Sequence, residues 1–164
     1  MSTLRTRIVL SMTAFLNKTI GTQAPAYLGQ TVSRMLDPVV YDWPDGSGAA
    51  QASEARAFET TLTVGTPETI NIKSYLDAHG DSTSLAHVKG FMLHVVSGTA
   101  LVDVSDTFNP LSTSSSASFV GLAAGSTVAV VRPEGIAIGS GNNLMTLTPT
   151  GTGTVLVRVI IVGD

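Results

Sequence analysis

The chain contains no cysteine, so no disulfide framework, thiolate metal site or thiol nucleophile can be built from it. Charge is also scarce. Asp, Glu, Lys and Arg make up 13% of the residues, and Ser and Thr stand where a monomer usually shows Lys and Glu. With a net charge of −3 and no basic stripe, the chain is not expected to bind nucleic acid generally. Aromatics amount to 5% with a single Trp, a thin supply for ligand-stacking platforms. No long hydrophobic run is present. The nearest approach, Ile8 to Leu16, is broken by Ser11 and Thr13 and falls well short of the roughly 20 apolar residues that span a bilayer. It follows Arg5 and Arg7 and precedes Ala24-Pro-Ala26, a loose imitation of a secretory signal, but Lys18 interrupts the pattern before the small-residue triplet. The expectation is a soluble protein with no membrane partner.

What is there is β-forming. A length of 164 residues suits one domain, or one domain with an arm, and is enough to bury roughly two-thirds of the unfolded surface without metal or disulfides. Apolar runs recur at short spacing between Gly, Ser, Thr and Pro. Strands are expected at 58–64, 68–72, 85–96, 101–104, 126–131, 136–138, 143–148 and 154–162, with turns at Gly65-Thr-Pro67, Ser97-Gly98, Arg132-Pro-Glu-Gly135 and Gly139–Asn142. Residues 73–79 suit one or two helical turns closed by Gly80. Such a series marks an all-β, antiparallel sandwich or barrel. The terminal strand, apolar at nearly every position, is expected to be central and covered on both faces.

Residues 1–40 lie outside this regular pattern and 41–164 within it. In the N-terminal part, Leu4, Ile8, Met12, Phe15 and Leu16 share a helical face, while Ile8, Leu10, Met12, Ala14 and Leu16 fit a strand as well. The β-rich remainder favours a strand or an extended arm. Tyr27–Leu36 reads as a further strand. Two irregular stretches, 42–56 and 105–118, are of a length that often makes contacts. Trp43 opens the first, and plugging one end of the core is a better reading for it than stacking on a ligand.

Catalytic chemistry finds little support. His87 and His94 are seven residues apart on one expected strand, which places them on opposite faces, and a shared metal would need a bulge. No Gly-x-Ser-x-Gly elbow or distinctive Ser-His-Asp spacing appears. Gly139-Ser-Gly-Asn-Asn143 lacks the Lys-Ser/Thr ending of a phosphate loop. No cofactor is expected, and the chain does not read as an enzyme.

Residues 58–164 resemble small virion structural proteins of tailed bacteriophages. The resemblance runs through a Thr-rich strand, the turn Tyr75-Leu-Asp-Ala-His-Gly80, the strand Leu85-Ala-His-Val-Lys-Gly90, the turn Val131-Arg-Pro-Glu-Gly135 and the close Val159-Ile-Ile-Val-Gly163. Glu134 departs from the family, which usually has a second Gly there. The resemblance implies a jelly-roll-like sandwich on a capsid surface, acting as a decoration (cement) protein that bridges major capsid protein subunits. It implies a homo-oligomer, most simply a trimer, and no catalytic residues. Candidate partner contacts are Arg5, Arg7, Ile8, Leu10, Met12, Phe15 and Leu16 in the arm, and Trp43. The alternatives are a receptor- or carbohydrate-binding sandwich of a virion fibre, for which the aromatics are few, and a cupin-like enzyme, for which the histidines are badly placed.

Overall fold

A computed structural model describes residues 6–10, 13–17, 31–35, 39–74, 84–105, 108 and 119–164. The chain divides into two compact units, Arg7–Asp42 and a larger one that includes Trp43–Asp164.

The smaller unit is built from two-stranded pairing. Strand β1 (Thr6–Leu10) pairs with β4 (Val39–Trp43), and β2 (Thr13–Asn17) pairs with β3 (Thr31–Met35). Leu16 stands opposite Val32 and Phe15 opposite Ser33. The sequence left residues 4–20 open between helix and strand; the backbone is extended in both described segments.

The larger unit carries eight strands in two four-stranded sheets. They are β5 (Glu54–Thr63), β6 (Glu68–Asn71), β7 (His87–Gly98), β8 (Leu101–Ser105), β9 (Phe119–Leu122), β10 (Thr127–Ala137), β11 (Leu144–Thr150) and β12 (Thr154–Gly163). One sheet has the order β10-β7-β12-β5 and the other β6-β11-β8-β9, and the registered pairs are antiparallel. Each sheet turns one face inward. Val155, Val157, Val159 and Ile161 from β12 join Phe91, Leu93 and Val95 from β7, and they share one buried cluster with Val102, Val104, Met145 and Leu147 of the second sheet. The inward residues alternate with outward ones as the pleat requires. The Phe91 and Phe108 rings meet at a centroid distance of 5.6 Å with a 56° tilt, an arrangement aromatic pairs favour. The all-β sandwich expected from the sequence is therefore present.

Several local expectations change. The stretch 132–135 is not a turn between strands. It is a bulge inside β10, where the register slips between Val131 and Ile136. Gly135 makes this possible: its φ is +82°, and a Cβ there would lie 2.8 Å from the His87 Cβ. Residues 54–56, read as loop, open β5. The sequence reading missed β9. Of the helical turns expected at 73–79, a 3-10 turn Ile72–Ser74 is present; residues 75–80, with the Gly80 cap, lie outside the described residues. Pro149 sits inside β11, which a central strand ordinarily excludes. It is tolerated because β6 pairs only as far as Leu147, so the missing N–H costs no ladder bond on that side.

The strand β12 is central, but only its inner face is closed. Leu156 and Ile160 on the outer face are half-buried and Arg158 is exposed. The core dependence is testable by equilibrium denaturation. Leu93→Ala, at a position 1% exposed, is expected to cost about 2–5 kcal/mol with an unchanged denaturant slope.

Candidate functional site

The candidate site is the outer face of the β10-β7-β12-β5 sheet together with the loop 44–53 packed at its end. Both are positioned by irregularities in β7.

The register of β7 against β12 slips at Lys89, between the pairs Val162↔Gly90 and Gly163↔Val88. Val88 and Phe91 both point into the core, so one residue is extra between them. This bulge changes the side on which the residues before it lie. The seven-residue spacing predicted His87 and His94 on opposite faces; with the bulge both fall on the outer face. They are still about six strand residues apart, on the order of 20 Å, too far to share a metal. Among the described residues no group of three or more His, Asp or Glu could hold a metal ion.

The bulge also aims Lys89 under the loop. Its side chain is 1% exposed. The Nζ donates to Gly48 O at 2.7 Å, to Gln51 O, and to Asp164 Oδ2 at 2.9 Å. The ammonium thus spends all three N–H donors, two on loop carbonyls and one on a carboxylate that is itself 4% exposed. Asp164 Oδ1 accepts from His87 Nδ1 at 2.9 Å. The loop is tied further by Ala50 N to Pro133 O at 3.1 Å and Ser53 N to Gly163 O at 3.0 Å. Within it, Gln51 Oε1 accepts from Gly48 N, and Ala52 N donates to Pro44 O. The irregular stretch flagged in the sequence is therefore a fixed element. A buried Lys–Asp pair 75 residues apart leaves no local pattern to read.

On the sheet face itself, register places side chains in rows. One row is Glu59, Arg158, His94 and Thr127. Its charges cancel internally: Arg158 Nε donates to Glu59 Oε1 at 2.6 Å, and His94 Nδ1 lies 2.8 Å from Thr127 Oγ1. The next row is Ala57, Ile160, Met92 and Ala129, wholly apolar. The opposite sheet is different. Its outward row is Thr69, Thr146 and Ser105, the two threonines joined hydroxyl to hydroxyl at 2.8 Å; the next row sets Thr148 opposite Asp103, whose Oδ1 accepts from Gly121 N. A shallow depression of about 250 Å³ beside the β5–β6 turn is lined by Thr61, Leu62, Thr63, Thr66, Pro67 and Glu68. Its one acid is engaged, since Thr60 Oγ1 donates to Glu68 Oε2 at 2.6 Å.

Of the contacts suggested by the sequence, Trp43 is 1% exposed, so its ring offers no stacking face. Arg7, Ile8 and Leu10 fall on β1, and Phe15 and Leu16 on β2. Arg5 and Met12 lie outside the described residues, as do 109–118 of the second irregular stretch. Among the described residues no helix is long and apolar enough to cross a membrane.

Lys89→Met is expected to lower stability by about 3–5 kcal/mol, because it strands a buried carboxylate and two carbonyls. Limited proteolysis with a broad-specificity protease should then cut within 44–53, where the parent chain resists. Comparison with family models, curated proteins and solved structures returns no match.

Proposed function

We propose that this chain is a virion structural protein of the capsid-decoration type, which attaches to major capsid protein subunits through the outer face of its β10-β7-β12-β5 sheet. The observation that carries this reading is the difference between the two outer faces. One is hydroxyl-rich and satisfies itself through Thr–Thr and Asp–backbone bonds. The other has an apolar row, Ala57, Ile160, Met92 and Ala129, bordered by a self-neutralised ion pair. An apolar centre with a satisfied polar border is the make-up of a protein–protein interface.

Two further features support it. The strand order, β10-β7-β12-β5 facing β6-β11-β8-β9, is what a jelly roll needs, with chain neighbours mostly passing from one sheet to the other. The Arg7–Asp42 unit consists of two-stranded pairs, and two strands alone are marginal in water. That suits an arm that completes its structure on a neighbour. Repetition over a lattice makes modest individual contacts effectively irreversible. The fibre-type alternative needs exposed aromatic platforms, and the face described here presents none.

The test is co-sedimentation with capsid particles that lack the protein. Ala129 is exposed at the β10 end of the apolar row, so Ala129→Glu should leave stability within about 0.5 kcal/mol and abolish attachment. Undiminished co-sedimentation of this variant would exclude the face, and failure of the parent chain to sediment would exclude the function.

A further inference from the structure

A sheet ends in edge strands whose free main-chain groups can pair with another strand, and proteins usually blunt them. Three of the four edges of the two four-stranded sheets are blunted. The edge strand β10 is bulged between Val131 and Ile136, contains Pro133, and has its Pro133 carbonyl taken by Ala50 N. The strand β9 has four residues and is kinked by Gly121 at φ +70°. The strand β6 has four residues and runs into the 3-10 turn.

The strand β5 is different. It is ten residues long and pairs without interruption along β12. The phase of that ladder is fixed where Val64 N donates to Gly153 O. Counting back in steps of two, Leu62, Thr60, Phe58 and Arg56 exchange hydrogen bonds with β12. Ala55, Ala57, Glu59 and Thr61 then turn their N–H and C=O groups to the open side. Ala57, Glu59 and Thr61 are exposed, and among the described residues their main-chain groups have no hydrogen-bond partner.

We infer that this edge is a self-association surface, on which β5 of a second copy pairs antiparallel about a two-fold axis through Phe58. The occupant follows from register. With the axis at Phe58, Ala57 faces Glu59 of the second copy and Ala55 faces Thr61, so all four open residues are used on both chains. With the axis at Glu59, two like charges stand directly opposite, which is destabilising. With the axis at Ala57, Thr61 would meet Ser53, whose N–H is already given to Gly163 O. With the axis at Thr60, Ala57 would meet Thr63, whose carbonyl already accepts from Thr66 N. The Phe58 axis also brings together two half-buried rings that pack only partly against their own cores. The result is one continuous eight-stranded sheet across the dimer, an isologous interface.

Three measurements on the full chain decide this. Light scattering should give the mass of two 16.9 kDa chains or an even multiple. Residue-resolved hydrogen exchange should show the amides of Ala57, Glu59 and Thr61 protected at high concentration and losing that protection on dilution. Ala57→Pro removes an N–H that β12 does not use, a substitution edge strands tolerate, so the mass should halve with an unchanged circular dichroism spectrum. A single-chain mass at high concentration, a trimer of the kind the phage resemblance implies, or an assembly whose three amides exchange freely would each overturn the inference. Protection that appears only on capsids would overturn it too, by making a capsid strand the occupant. None of the solution readouts involves a capsid, so failed co-sedimentation leaves this inference standing, and its failure leaves the attachment face standing.

Discussion

Strand β12 is the constraint on which the rest of the larger unit depends. It is hydrogen-bonded to β5 on one side and β7 on the other, and its inward residues Val155, Val157, Val159 and Ile161 are at most 1% exposed. Because the side-chain period is two, a slip of one residue would move that whole set to the outer face. Register on β12 therefore fixes which residues of β5 and β7 face inward, and through β7 the phase of β10. The bulges are placed against this reference: both slips in the β7–β12 ladder and the slip in β10 change which neighbouring side chains emerge, without disturbing β12 itself.

The geometry of the candidate site is a consequence of those slips. Without the extra residue near Lys89, its side chain would not meet the loop carbonyls and Asp164 together. The ammonium closes a loop that has little apolar packing of its own, apart from the buried Ala52. The same slip puts His87 on the face that carries His94. Gly135 and Gly163 allow the close approaches this requires, since a Cβ at Gly163 would come within 2.1 Å of the His87 carbonyl oxygen.

Much of the fold was legible in the sequence because strand signals are local. Alternation in 58–64, the apolar run 154–162 and the Gly-containing turn at 139–142 identify strands and their ends without tertiary information, while the turn expected at Ser97-Gly98 falls two residues later, because β7 runs through Gly98. What was not legible depends on partners distant in the chain. Val131-Arg-Pro-Glu-Gly135 has the composition of a turn, and only pairing of Ile136 with Val88 shows that the strand resumes. Pro149 within β11 is readable only once β6 is known to stop short of it. The role of Lys89 rests on Asp164, 75 residues away, and the apolar row depends on register across four strands.

The distribution of edge protection adds the last step. A protein under selection only to remain monomeric would be expected to blunt β5 as it blunts β6, β9 and β10, with a bulge, a proline or brevity. Instead β5 is the longest edge without a slip, and its charge on the outer face, Glu59, is neutralised by Arg158 and does not guard the edge. The low charge of the chain has the same sense, since neutral hydroxyl and alanine positions cost less to desolvate than carboxylates or ammonium groups. Edge and face belong to one sheet but use different groups: the edge offers main-chain donors and acceptors, the face offers apolar area. Pairing through the edge would therefore leave the face free for a different partner.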